Sequence, residues 1–518
     1  MNRLAIPPAQ RRNHWMNQIA GHAAMRPEAP AFRYRGATTT WGQAHARVTA
    51  FAAALQRRGV GFGDRVLMLV LNRTEVVEAV MAINTLGAIA VPINVRLAPP
   101  EMAYIIDDAD GDVLLVDAPL APLVGVIAQQ TARIKRVIVL GGASAGAEAY
   151  DALVAEPVGD FAAPDVPEST PALIMYTSGT TGHPKGAMLD HVNMAAQALT
   201  CIRAMEIFKE DDVGFMTAPL FHIAGLGSMA PNLQLGILTV IHPLGGFDAG
   251  ALLAAYEEEG ATIVFNVPAQ WKAICAHPDA AAKGRKLRII SWGAAPATET
   301  LLRQMAETFP SALNVAVFGQ TEMSPITCVL RGQDSLRKLG SVGLPIPTIQ
   351  CRVVDDAMND VAAGEVGEII YRGPTLMQGY WRKPEETAAA FAGGWFHSGD
   401  LVRRDDEGYV WVVDRKKDMI ISGGENVYCA EVENAVAKHP EVVDVAVYGR
   451  ADARWGEIPV AAVVLRPGST LDVEALRAYL DERLARFKQP KALVRLEELP
   501  RNAGGKVVKG VLRERDPG

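Results

Sequence analysis

Between residues 65 and 117 the chain alternates short apolar runs with segments of helical period. "RVLMLVL" reads as a buried strand, and "TEVVEAVMAINTLG" as a helix with Thr74 as its N-cap and Gly87 just past its end. "AIAVPIN" is strand-like, "APPEMAYIIDDA" helical and "DVLLVD" strand-like again. Strands alternating with helices predict a parallel α/β sheet.

The pattern resumes downstream. "PALIMY" is a strand followed by the polar loop "TSGTTGHPKG", and a helix starts near Asp190 as N-cap. "LRIISW" is a strand and "GAAPA" a tight turn. "TETLLRQMAETF" is a helix with Leu301, Leu302, Met305 and Phe309 at helical spacing, and "LNVAVFG" is a strand ending in "QTE". Gly-rich and polar turns thus recur just after strands, where ligands of open α/β sheets gather.

After about residue 415 the texture changes. The charged run "DRKKDM" follows the aromatic "GYVWVV". Then come a helix in "AEVENAVAKH", strands in "VVDVAVYG" and "IPVAAVVL", a helix through "LDVEALRAYLDERLARF" and a strand in "KALVRLEEL". About 100 residues suffice for a small α+β domain. The predicted organisation is α/β: a large N-terminal domain, residues 1–414, of parallel and mixed sheets covered by helices, a hinge at 415–417, and a small mobile α+β domain, 418–518.

Composition narrows the function. A chain of 518 residues with net charge −7 is too long for one core and too acidic for nucleic acid as its main partner. Cys201, Cys275, Cys328, Cys351 and Cys429 form no CxxC pair, so neither a zinc site nor a dithiol is signalled, and a reducing, cytoplasmic compartment fits best. No run of signal-peptide or membrane-span character is present. Arg11, Arg12, Trp15 and Ile19 could form a weak peripheral membrane anchor, but a first helix packed on its own domain is the favoured reading. Nothing in the sequence signals symmetry, and a homodimer stays open.

The loop at 177–186 is not a Walker A loop, because Lys185 lies between Pro184 and Gly186. "GVGFGD" and "GGASAG" fail the dinucleotide fingerprint by context and spacing, and no G-x-S-x-G elbow occurs. What remains is backbone N–H at Gly179 and Gly182, hydroxyls at Thr177, Ser178, Thr180 and Thr181, and one cation at Lys185. That set suits a pyrophosphate or triphosphate.

"YTSGTTGHPKG" also resembles the phosphate loop of the adenylate-forming superfamily, which includes acyl-CoA synthetases, adenylation domains and luciferase. "PLFHIAGL", "SWGAAP", "FGQTEMSP", "GGWFHSGDL", "DRKKDMIISGGENVY" and "PRNAGGKVVK" follow in the family's order, and the likeness is greatest to actinobacterial fatty-acid–CoA ligases. The resemblance implies two half-reactions. A carboxylate attacks the α-phosphate of ATP to give an acyl-adenylate and pyrophosphate. The thiol of coenzyme A then displaces AMP.

The resemblance also assigns residues. Glu322 is the Mg²⁺ ligand, with Thr177 as a second oxygen; Phe318, Gly319, Gln320 and Thr321 lie by the nucleotide and the reacting carboxylate. Gly293, Ala294, Ala295 and Pro296 wall the adenine, small enough for a flat base to approach. Asp400 takes the ribose hydroxyls and Arg415 is a second ribose or phosphate contact. Lys506 is the mobile lysine of adenylation, and Lys417 the hinge about which the small domain turns to bring Gly423 and Gly424 to the pantetheine arm. Lys509, its neighbour, reads as an ordinary surface lysine.

His222 lies by the acyl site, where amino-acid-activating relatives often carry Asp, and so argues against an amino-acid substrate. Gly225, Leu226 and Gly227 would leave room for a chain. Two departures are visible: Cys429 stands where many relatives have Pro, placing a thiol near the expected CoA channel, and "FHSGD" replaces the commoner Arg-Thr-Gly-Asp context. The expected activity is an ATP-dependent ligase joining a medium- to long-chain fatty acid to CoA. A sterol-derived or aryl acid, or a carrier-protein acceptor, is the alternative. A luciferase-like oxygenase has no sequence support, and Lys506 and Glu322 argue against a non-catalytic binder.

Overall fold

The structure is a computed structural model and describes residues 14–177, 183–207, 210–295, 297–422, 425–502 and 505–516. The chain divides into two compact units, residues 1–350 with 372–396, and residues 351–371 with 397–518.

The first unit contains two mixed sheets, the α/β architecture expected. In the eight-stranded sheet the order is Gly379–Tyr380, Lys185–Asp190, Pro171–Thr177, Ile89–Pro92, Arg65–Leu69, Val113–Asp117, Arg136–Leu140 and Glu148–Ala149. From Pro171–Thr177 to Glu148–Ala149 neighbours run parallel; Lys185–Asp190 and Gly379–Tyr380 join antiparallel at the other edge. Its central strands are buried on both faces, which is why they read as unbroken apolar runs. Helix Pro99–Ala109 covers one face, packing Met102, Ile105 and Ile106 into a core with Leu67, Val91 and Ile174.

The helix expected from Thr74 spans Thr74–Thr85, but its cap position falls on Arg73. Arg73 instead forms ion pairs with Glu75 and Asp117, both at 2.8 Å, so Thr74 becomes the first helical residue. Gly87 ends the turn with φ +69°, as expected of a residue in the left-handed region.

The second sheet has nine strands, ordered Leu344–Pro345, Ile326–Arg331, Leu313–Gly319, Ile289–Gly293, Ile263–Phe265, Val213–Met216, Leu238–Ile241, Pro30–Tyr34 and Ala37–Thr40. The strands from Leu313–Gly319 to Pro30–Tyr34 are parallel. Their C-terminal ends therefore share one edge, which carries Gln320–Glu322, Gly293–Ala295 and the turn before His222.

The N-terminal helix Asn17–Met25 packs on Trp41–Arg57 of the same unit. Trp15 and Ile19 are buried, and the Trp15 indole donates to Asn84 Oδ1 at 2.8 Å. They are not a surface anchor; Arg11 and Arg12 lie outside the described residues. No helix among the described residues is long and apolar enough to cross a membrane.

The second unit holds a four-stranded sheet in the order Gln350–Val354, Val366–Arg372, Phe396–Arg404 and Val410–Arg415, and a further sheet built on the long hairpin Val442–Asp452 and Gly456–Leu465. Residues 397–414 thus cluster with the C-terminal region, and compactness does not part the chain at Arg415. The helix expected through 471–487 stops early, spanning Val473–Leu480. Beyond it the buried Gln489 amide donates to Asp481 Oδ1 and to the Leu484 carbonyl, drawing that backbone out of helical register.

Candidate active site

The polar loop connects two strands that pair antiparallel. Pro171–Thr177 pairs with Lys185–Asp190, placing Thr177 opposite Lys185 and Tyr176 opposite Gly186. The Thr177 hydroxyl donates across the mouth to the Lys185 carbonyl at 3.4 Å, leaving its oxygen lone pairs for a ligand. Ser178, Gly179, Thr180, Thr181 and Gly182 lie outside the described residues.

The hairpin is held from below. Asp190 caps helix His191–Met205 as the sequence predicts, accepting from the Asn193 N–H at 2.8 Å while the Asn193 amide oxygen accepts from the Asp190 N–H. The Asn193 amide also donates to the carbonyls of Pro374 and Leu376. That tether feeds the short strand Gly379–Tyr380 onto the hairpin edge.

Glu322 is buried in a one-turn 3₁₀ segment, Thr321–Met323, that packs on strand Lys185–Asp190. Its carbonyl accepts from the Met377 N–H at 2.8 Å. Its carboxylate accepts the Tyr380 hydroxyl at 3.0 Å, and the Lys185 ammonium stands over the Tyr380 ring, 5.1 Å from its centroid. Burial first, then the Glu322 charge, push the Tyr380 phenol well above its ordinary value, so it stays a donor. Lys185, Tyr380 and Glu322 form one connected group. No local pattern marks Tyr380: "GYW" carries no motif, and only strand pairing brings it to Glu322.

Among the described residues no cluster of three or more His, Cys, Asp or Glu side chains could cage a metal. One buried carboxylate with a single oxygen engaged fits Mg²⁺, which keeps waters and substrate oxygens and takes few protein ligands.

Gly293 ends strand Ile289–Gly293, and a Cβ there would meet the Val317 carbonyl oxygen at 2.5 Å. Ala294 and Ala295 follow, both exposed, with Ala294 in the left-handed region at φ +66°. A non-glycine residue held so costs on the order of 1–2 kcal/mol, and such strain clusters at functional turns. Pro296 lies outside the described residues. On the adjacent parallel strand, Phe318 and Gly319 lead into Gln320 and Thr321. A Cβ on Gly319 would meet the Pro325 carbonyl oxygen at 1.9 Å, so only glycine fits.

His222 is exposed and caps helix Ile223–Leu235, its Nδ1 accepting from the Ala224 N–H at 3.2 Å. That fixes the ring orientation at the sheet edge. Gly225 and Gly227 do not leave room for a chain. Cβ atoms there would lie 2.3 Å from the Pro219 carbonyl oxygen and 2.7 Å from Pro325 Cδ, and Leu226 is fully buried. The glycines serve close helix packing.

In the second unit Asp400 and Arg415 face each other across paired strands, joined at 2.8 Å, with Asp400 buried. His397, the departure in "FHSGD", pairs with Glu368 at 3.1 Å, and Glu368 also accepts from the Gly399 N–H at 3.0 Å and the Lys416 ammonium at 3.2 Å. Desolvation alone would raise the Glu368 carboxyl; these partners hold it below its ordinary value. His397 thus anchors the turn that presents Asp400.

Partial desolvation, then the cations Arg415, Arg513 and Lys506, lower the exposed Lys417 ammonium against the pull of Asp418. Lys417 and Lys506 are therefore electrostatic neighbours. Lys506 is exposed on a tight turn in which Asn502 and Lys506 exchange hydrogen bonds and Gly505 takes φ +81°. Gly423 and Gly424 lie outside the described residues.

Cys429 is fully buried, its thiol pushed up to about 12 by burial, so it is no solvent-facing thiol. It opens helix Cys429–Val436, and its N–H donates to the buried Asp414 carboxylate, a bond a proline would lack. Lys509 is likewise no ordinary surface lysine: it is largely sheltered and paired with Glu433 at 2.8 Å.

The AMP-binding enzyme family model matches residues 19–381, and that of the AMP-binding enzyme C-terminal domain matches residues 431–506. The chain belongs to the AMP-binding enzyme family. It is 38% identical over 506 residues to an indoleacetate–CoA ligase of Aromatoleum aromaticum, covering 97% of each chain. A feruloyl-CoA synthase of Amycolatopsis is 39% identical over 497 residues, covering 95% of this chain and 97% of the relative. Long-chain-fatty-acid–CoA ligase FadD13 of Mycobacterium tuberculosis is 36% identical over 480 residues, covering 92% of each. Among solved structures, the o-succinylbenzoate coenzyme A synthetase MenE of Bacillus subtilis, in complex with ATP and magnesium ion, superposes with a TM-score of 0.83 at 30% identity over 96% of this chain and 99% of that one.

Proposed function

We propose that the chain is an AMP-forming acid–CoA ligase acting on a carboxylic acid with an aromatic or aryl-alkyl body. The observation that carries the ligase reading is the connected Lys185–Tyr380–Glu322 group at the mouth of the phosphate hairpin, in a chain of the AMP-binding enzyme family. In the first half-reaction a carboxylate oxygen bonds to the α-phosphorus of ATP, and the α–β bridging oxygen leaves with pyrophosphate. In the second the CoA sulfur bonds to the acyl carbon, the acyl–oxygen bond breaks, and AMP departs.

An anion attacking an anion needs positive charge at the phosphates. Lys185 supplies one fixed cation at the hairpin, with Thr177 beside it. Glu322, oriented by Tyr380, and the Thr177 oxygen would hold Mg²⁺, which neutralises phosphate charge when bound. The turn Gly293–Ala295 and residues Phe318–Thr321 offer the adenine its wall, and His222 stands at the same sheet edge for the acid. Asp400 with Arg415 takes the ribose, Lys506 serves adenylation, and 415–417 is the hinge of a domain rotation that exchanges Lys506 for the 423–424 loop and the CoA arm.

Two considerations support the aromatic reading: the two relatives of highest identity named above act on indoleacetate and form feruloyl-CoA, and Gly225 and Gly227 are filled by packing contacts. The likeness to FadD13 keeps a medium- to long-chain fatty acid as the second reading. A panel of aromatic, arylalkanoic, branched and straight-chain acids with ATP, Mg²⁺ and CoA separates them. The highest kcat/KM is expected for an aromatic or arylalkanoic acid. An optimum on a straight alkyl chain would establish the second reading, and pyrophosphate without acyl-CoA would point to a carrier-protein acceptor.

A further inference from the structure

The face of the Lys185–Tyr380 strand pair turned away from Glu322 is gripped by one helix. On helix Pro99–Ala109, Tyr104 and Asp108 are one turn apart and share a face. The Asp108 carboxylate accepts the Tyr176 hydroxyl at 2.7 Å and pairs with the Lys383 ammonium at 3.1 Å. The Asp108 carbonyl accepts the Trp381 indole N–H at 3.1 Å. Tyr104 stacks on His183, with ring centroids 4.4 Å apart and planes 17° from parallel.

Each gripped residue is a close chain neighbour of a site residue. Tyr176 precedes Thr177, Trp381 follows Tyr380, and His183 lies two before Lys185. Successive residues of a strand point to opposite faces. Holding Tyr176 and Trp381 on the helix side therefore aims Thr177 and Tyr380 at the other, where Tyr380 meets Glu322. The backbone N–H of Trp381 donates to the Gly186 carbonyl at 2.7 Å, locking the two strands in register.

We infer that Tyr104 and Asp108 are positioning residues for nucleotide binding: a clamp, remote from the reacting atoms, that sets where Lys185, Thr177 and Tyr380 stand relative to Glu322. The inference rests on the ligase reading above. It assigns the clamp to Mg·ATP and not to the acid, because among the described residues the contacts named above lie on the hairpin and on Trp381 and Lys383, just past the Gly379–Tyr380 strand, and not on the His222 or Gly293 turns.

The test uses the full chain and an α,β-methylene analogue of ATP with Mg²⁺, followed by calorimetry, beside steady-state KM values for ATP and for the acid. Asp108→Ala and Tyr104→Leu should each weaken the analogue about tenfold and raise the KM for ATP alike, with the KM for the acid unchanged. Tyr104→Phe, which keeps the stack, should bind like the parent. Tyr150→Phe, which removes a buried hydrogen bond to Glu78 elsewhere in the same unit, should lower the melting temperature without moving the ATP-to-acid split. Should Asp108→Ala fail to fold, Asp108→Asn and His183→Ala carry the same expectation. Unchanged analogue affinity in the clamp variants, or equal changes in both KM values, would overturn the clamp. Failure of the parent itself to bind the analogue would instead overturn the ligase reading.

Discussion

At the scale of single residues, the site turns on a tyrosine that no motif marks. Tyr380 donates to one oxygen of Glu322 and lays its ring under Lys185, so one side chain contacts both the carboxylate and the cation of the proposed phosphate site. Removing a hydrogen bond to a charged group costs about 1.5–3 kcal/mol. Tyr380→Phe keeps the ring and loses the bond; the KM for Mg·ATP should rise about tenfold while that for the acid stays put. Titrating initial rate against ATP at fixed acid, and then the reverse, checks this, and equal changes in both would remove Tyr380 from the nucleotide site. Thr177, Lys185, Glu322 and Asp400 were legible in the sequence because each sits in an ordered run of motifs. Tyr380, Tyr104 and Asp108 were not, because what makes them matter is pairing across 58 to 275 positions of chain, which no local pattern records. A Cβ added at Gly227 would lie 2.7 Å from Pro325 Cδ, and this too is hidden in the sequence, which shows a small residue while only packing says what fills the space.

At the scale of elements, apolar runs placed strands such as Arg65–Leu69, Val113–Asp117, Pro171–Thr177 and Leu313–Gly319, and helical period placed Pro99–Ala109 and Glu299–Thr308, since these signals are local; others, such as Trp41–Arg57 and Phe396–Arg404, were not read from the sequence. Asp190, Thr298 and Asp472 all cap as side-chain chemistry dictates. Strand Lys185–Asp190 was not read from the sequence, because it is six residues between a polar loop and the Asp190 helix cap and is defined by its pairing with Pro171–Thr177. Helix His191–Met205, just beyond it, carries a measurable titration. His191 is fully buried, its ring edge-on to His14 with centroids 4.8 Å apart, and neither of its ring nitrogens has a hydrogen-bond partner among the described residues. Burial, with a smaller push from His14, lowers its pKa to about 3. The folded chain therefore holds His191 neutral while the unfolded chain protonates it near pH 6.5. Its contribution is full above about pH 6.5 and is lost as pH falls toward 3, by about 1.4 kcal/mol per pH unit within that window. Urea unfolding at pH 7 and pH 5.5 should show the parent losing about 1 kcal/mol more stability than His191→Phe over that interval; parallel losses would show that His191 does not titrate on unfolding.

At the scale of the whole molecule, the proposed function divides one reaction between the two compact units. On that reading the first would supply the Lys185 hairpin, Glu322 for Mg²⁺ and His222 for the acid; the second holds the Asp400–Arg415 pair, Lys417 and Lys506. The change in texture near residue 415 was visible in the sequence, but the four-stranded sheet that ends at Arg415 groups with the C-terminal region, because its hydrogen-bonded partners at 351–371 are supplied from far upstream. In the proposed reaction an acyl-adenylate forms first and Lys506 serves that step alone. The most direct measurement is single-turnover mass spectrometry of the parent and Lys506→Ala, once with acid, ATP and Mg²⁺ but no CoA, and once with synthetic acyl-adenylate and CoA. The parent should build up acyl-adenylate with matching pyrophosphate, and Lys506→Ala should slow that step by about a hundredfold while still converting supplied adenylate to thioester. Equal loss of both steps in Lys506→Ala, or thioester formation by the parent with no adenylate and no pyrophosphate, would contradict the account.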